Sequence, residues 1–138
     1  MLAARAIDGG EQYFTHAYDV GPTRNVAETY RQWAHTNLLG DVVALARAFR
    51  PHVIVARFRA DTLDGDGQHQ VSAMLDREVF DAALDTVRFS TKEYGMPWSA
   101  GSVYEAGPGV SIDAGDFDRT LGRTFAAIAI DSRSQTMG

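Results

Sequence analysis

The sequence has 138 residues, 45% of them hydrophobic and 22% charged, with no cysteine and a formal charge of −5 at pH 7. That length suits one compact unit, residues 1–138, and the composition is that of a soluble globular chain; no apolar run is long enough for a membrane-spanning helix. With 18 acidic against 13 basic residues and no Lys/Arg cluster, no footprint for nucleic acid or anionic membrane is expected, and without cysteine any metal must be held by His, Asp or Glu.

The opening MLAARAIDGGEQ has no apolar core of secretory-signal length and reads as a chain beginning in mid-domain; no compartment is indicated. Tyr13, Phe14, Ala17 and Val20 predict a short strand closed by a turn at Gly21-Pro22. Asn25 and Glu28 resemble a capping box, and Val26, Tyr30 and Trp33 recur at helical spacing, predicting a helix over about residues 26–34. Leu39, Val42, Val43, Ala46 and Phe49 predict a helix over 38–49 that Pro51 must end, since proline lacks an N–H and disfavours the α region at Arg50.

His52-Val-Ile-Val-Ala-Arg-Phe58 is a near-continuous β-branched run, predicting a strand buried on both faces. After a glycine-rich acidic loop, Val71, Met74, Leu75, Val79, Ala82 and Ala83 predict a helix ending near Asp85, so that strand, loop and helix follow the order of a βαβ unit. Residues 86–100 lack a period and read as an ordered loop pinned at Pro97-Trp98. Short strands are expected at 103–105 and 110–113, then a helix capped by Asp116 or Asp118 in which Leu121, Phe125, Ile128 and Ala129 share a face. The sum is α/β with a largely parallel sheet. Three or four strands are few for a free-standing doubly wound domain, so neighbours or a larger protein would supply the others.

The loop and helix start, RADTLDGDGQHQVSAML (59–75), hold the candidate chemistry. Gly65-Asp66-Gly67 suggests a nucleotide turn, but Gln70 stands where a small residue is needed, the strand ends too early, and an aspartate would repel the pyrophosphate. The structural alternative makes Asp66 a helix N-cap. A third reading makes His69 a metal ligand beyond the C-terminal end of a parallel strand, with Asp61, Asp64 and Asp66 as nearby carboxylates; catalytic zinc needs three protein ligands, and His16, His35 and His52 are scattered. His52, opening a strand, suits a structural role better than ligation. No Gly-x-Ser-x-Gly elbow is present.

The segments TNLLGDVVALARAFRPHVIVARF, DGDGQHQVSAMLDREVFDAAL, MPWSAGSVYEAG and GDFDRTLGRTFAAIAIDSRSQTMG together resemble the PIG-L (LmbE-like) family of zinc-dependent N-deacetylases, from about Ala4 to Gly138. The resemblance implies a Rossmann-like three-layer α/β sandwich, here without its first strands, in which zinc-bound water attacks the N-acetyl carbonyl of an amino-sugar-type substrate. It implies that His69 is a zinc ligand. Asp66 falls where relatives carry a catalytic histidine, and Gln68 where they carry an acidic residue. The family's Ala-His-Pro-Asp-Asp-Glu motif, which brings two ligands and the general base, is missing from this sequence. The expectation is therefore part of a hydrolase domain, inactive by itself.

The alternative is a non-catalytic carbohydrate-binding or interaction module with Trp33, Trp98 and Tyr104 as stacking surfaces, although core packing is the simpler role for such aromatics. A sheet lacking strands also leaves an open edge, which favours self-association.

Overall fold

The computed structural model describes residues 2–136 and is mixed α/β with a small parallel sheet. Met137 and Gly138, the end of the last family-like segment, lie outside the described residues. The chain divides into two compact units, one of residues 15–107 and one formed by the residues up to Phe14 with those from Pro108 on.

In the larger unit, α2 (Val26–Gln32) begins as its sequence predicts: Asn25 accepts from the Glu28 N–H, and the Glu28 carboxylate accepts from Arg24 N–H. α3 (His35–Phe49) begins three residues earlier than the apolar period indicates and ends at Arg50, which turns left-handed at φ 57° just before Pro51. β1 (Val53–Ala56) leads through a 3-10 turn (Thr62–Asp64) into α4 (Gly67–Ala82). A short α5 (Thr91–Tyr94) lies within the segment read as loop, and β2 (Ser102–Glu105) then pairs in parallel with β1, Val53 opposite Ser102 and Ala56 opposite Glu105. The predicted βαβ order is present.

The core is the seam between α3 and α4. Leu38, Leu39, Val43 and Ala46 meet Val71, Leu75, Val79 and Ala82, with Ala83 and Phe89 completing the cluster. These are the 3.6-period stripes of the two helices, whose burial is the main favourable term in folding. Met74, expected on that stripe, is exposed.

Arg47 sits within the same seam at 3% exposure. Its guanidinium donates to four carbonyls: Nε to Ala83 (2.9 Å), Nη1 to Phe89 (2.9 Å) and Gly95 (3.0 Å), and Nη2 to Asp85 (3.0 Å). One side chain thereby ties α3 to the loop after α4. Trp98 pins that loop as expected: its indole N–H donates to Pro51 O (2.8 Å), its backbone N–H to Ala83 O (3.2 Å), and its ring meets His52 edge-on.

Three expectations about strands are corrected. Residues 13–20 form no strand: in the part after Phe14, His16 N–H goes to the Asp41 carboxylate, Ala17 N–H to Thr15 Oγ1, and Tyr18 C=O receives the Trp33 indole N–H. β1 is not buried on both faces, since Ala56 is fully covered while Val53 is 48% and Val55 71% exposed. Alternation puts Val53 and Val55 on one face and Ile54 and Ala56 on the other, and α4 covers only one of these. Residues 110–113 are not a strand; the chain turns on Asp113, whose carboxylate accepts from Gly115 N–H.

The smaller unit pairs β3 (Phe117–Asp118) antiparallel with β4 (Arg123–Thr124), followed by α6 (Phe125–Ser134). Thr124, not Asp116 or Asp118, caps α6 by accepting from Ala127 N–H; Asp118 instead caps the hairpin turn through Thr120 and Leu121. Leu121 is therefore outside the helix it was expected to line. α1 (Leu2–Asp8) packs on α6, where Ser132 Oγ donates to Asp8 (2.6 Å) and Arg5 pairs with the same carboxylate.

Candidate functional site

The start of α4 accounts for the first five residues of GDGQHQ, Gly65 to His69. Gly65 takes φ 94° with ψ −80°, open to glycine and strained for other residues. Asp66 is the N-cap, its Oδ1 accepting from Gln68 N–H (2.8 Å) and His69 N–H (3.0 Å). Its carboxylate satisfies two otherwise unpaired donors and sits on the positive end of the helix. Gly67 lies so close to the start of α2 that a Cβ there would overlap the Asn25 carbonyl and crowd Thr29 Oγ1. Its N–H donates to Thr23 O (2.8 Å), and the Gln68 amide reaches Gly21 O (2.5 Å). The glycines thus serve backbone approach, and no phosphate cradle is needed to explain them.

His69 is oriented from two sides. Its ring stacks on Phe58 with centroids 4.1 Å apart and planes 13° from parallel, and its Nδ1 lies 2.9 Å from the Asp64 carbonyl. A carbonyl can only accept, so Nδ1 carries the proton; in the neutral ring the lone pair is then on Nε2. A metal-binding histidine is commonly held this way, one ring nitrogen donating to a carbonyl while the other ligates. The side chain is 44% exposed, and the nearest carboxylate oxygen, Asp66 Oδ1, is 3.9 Å from Nδ1.

The other candidate donors are engaged elsewhere. Asp61 caps the 3-10 turn by accepting from Leu63 N–H and pairs with Arg59; Asp64 accepts from the Arg59 and Asp61 N–H groups. Burial acts to raise the Asp64 carboxyl, but the backbone donors of Arg59, Asp61 and Ala60 outweigh it and hold its pKa below the usual value. His16 pairs with Asp41 and His35 with Glu78, each at 2.7 Å, while His52 packs on Trp98. Among the described residues, no three His, Cys, Asp or Glu side chains are grouped to hold a metal ion.

The aromatics are divided. The Trp33 and Trp98 indole N–H groups are satisfied within the chain, and Tyr104 is exposed on β2. A concavity absent from the sequence reading opens between α3, α4 and residues 15–17, with Trp33 and Asp76 on its wall. Its signal in the sequence was Asp76, an acid four places beyond Ser72 on one helical side. No protein-family model, curated protein or solved structure matches this chain.

Proposed function

We propose that this chain supplies His69 as one zinc ligand of a PIG-L-like N-deacetylase centre, within a Rossmann-like domain whose other strands and metal ligands lie outside these 138 residues. The observation that carries the reading is the Nδ1 hydrogen bond to Asp64 O at 2.9 Å, which leaves Nε2 as the basic nitrogen. The family-like order of segments around it gives the reaction class, hydrolysis of an N-acetyl amino-sugar-type amide.

The residues present do not complete a zinc site. Catalytic zinc takes three protein ligands and a water, and the carboxylates beside His69 are engaged with the loop's own N–H groups. Bound zinc would supply Lewis acidity and a more acidic water. This chain's part is orientation: Phe58 and Asp64 O fix the imidazole, and Asp66 fixes the helix that bears it. Asp66 spends its carboxylate as acceptor for the Gln68 and His69 N–H groups and has no imidazole to offer an oxyanion, so the transition-state role of the family histidine does not pass to it. The isolated chain is accordingly inactive.

Two observations test this. Supplied with zinc and N-acetylglucosamine, the purified chain is expected to release no acetate; sustained release with stoichiometric, tightly held zinc would overturn the partial-site reading. The coding sequence directly upstream is expected to carry an in-frame His-Pro-Asp-Asp segment, and its clear absence would count against donors from the same polypeptide.

A further inference from the structure

The cleft between α3 and α4 has a volume of about 240 Å³. It shares Gln68 with the start of α4, but His69 and the carboxylates of its loop do not line it. Leu38 and Val42 come from α3, Val71 and Leu75 from α4, and the Trp33 indole forms one side. The indole N–H donates to Tyr18 O (2.9 Å), which holds the ring. His16 is bound to Asp41 through both its backbone N–H and Nδ1, at 2.7 Å each, so the segment carrying Thr15 and Ala17 is tethered to α3. Gln68 is held by Gly21 O, its amide oxygen remaining as an acceptor.

Asp76 is the only charged side chain among the residues that line this cleft. Among the described residues no hydrogen bond or ion pair reaches its carboxylate. A half-buried carboxylate without a partner, placed against apolar walls, is costly unless something compensates it. No lysine or arginine lines the space, so an anion would meet one negative charge and nothing to neutralise its own. A cation would meet the carboxylate, with Trp33 also on the wall, the kind of aromatic that best accommodates an ammonium group.

We infer that this cleft binds a small organic ammonium ion, its apolar body against Ala17, Val42 and Trp33 and its charged nitrogen paired with Asp76. The volume is below the roughly 300 Å³ at which pockets for drug-sized ligands begin, so the ligand is a small amine rather than an extended one. Desolvation raises the Asp76 carboxyl to about 6, which leaves it ionised at neutral pH and available to such a partner.

The test is an NMR titration of the purified chain with three probes of one shape: benzylammonium, benzyl alcohol and benzoate. The two indole N–H signals are assigned with Trp98→Phe. Benzylammonium is expected to bind saturably and shift the Trp33 indole, benzyl alcohol to bind at least tenfold more weakly, and benzoate not to bind. Asp76→Asn should bring benzylammonium down to the level of the alcohol with an otherwise unchanged amide spectrum, while Asp81→Asn, outside the cleft, changes nothing. Equal binding of alcohol and ammonium, an unaltered affinity in Asp76→Asn, shifts confined to another region, or no binding of benzylammonium would each overturn the inference.

Discussion

Arg47 shows most sharply how one residue can organise the chain. It has four carbonyl acceptors and a buried position; Ala83 O and Asp85 O also accept from the Trp98 and Phe89 N–H groups, so removing it takes the charged donor chiefly from Phe89 O and Gly95 O. Arg47→Ala is expected to lower unfolding stability by about 3 kcal/mol or more, by analogy with breaking a buried charged network, measured by urea denaturation. Arg47→Lys should recover little of it, because an ammonium cannot reproduce the planar fork. Asp76 gives a pH signature. Burial pushes its carboxyl up to about 6, above the ordinary aspartate range, so the folded state binds the proton more tightly than the unfolded one. Stability from this group is therefore full below about pH 4 and falls as pH rises towards about pH 6. Asp76→Asn should raise the neutral-pH stability by on the order of 1 kcal/mol, allowing for solvent screening at a partly exposed site, with the gain vanishing in acid. A gain unchanged from acid to neutral pH would contradict this cause.

At the scale of elements, α4 is defined by its first turn. Asp66→Ala should cost about 1 kcal/mol, and Asp66→Ser much less, because serine restores the cap. Gly67→Ala should cost about 1–3 kcal/mol from overlap with the Asn25 carbonyl, and thermal melts check both. What made α3, α4, β1 and β2 readable was local: apolar spacing at 3.6, a β-branched run, and Pro51 as a stop. The N-cap role of Asp66 was equally readable, because capping is settled within a few residues. Arg47 was not singled out, although it follows Val43 by four residues on the buried stripe; its acceptors lie 36 to 48 residues away, and no local pattern records them. The strand expected at 13–20 failed for the related reason that its apolar residues suit a tethered loop as well as a strand. The cap of α6 moved to Thr124 because the hairpin turn already used Asp118.

For the whole molecule, the two-stranded parallel sheet leaves Val53 and Val55 exposed, and neither strand has a second partner among the described residues. Unpaired strand edges with apolar neighbours favour pairing with further chains, so light scattering should show concentration-dependent association that Val55→Lys reduces. A concentration-independent monomer would contradict this. No helix among the described residues is long and apolar enough to cross a membrane. The position of His69 beyond a parallel strand could be read from the sequence; its tautomer could not, since that depends on where the Asp64 carbonyl falls after the 3-10 turn.

That tautomer is the centre of the account, and nitrogen-15 NMR of the His69 ring during a zinc titration tests it most directly. Nδ1 is expected to be protonated and Nε2 unprotonated, with a zinc-dependent shift at Nε2 that is lost in His69→Ala. A protonated Nε2 in the neutral ring, or zinc that leaves the His69 signals unmoved, would contradict it.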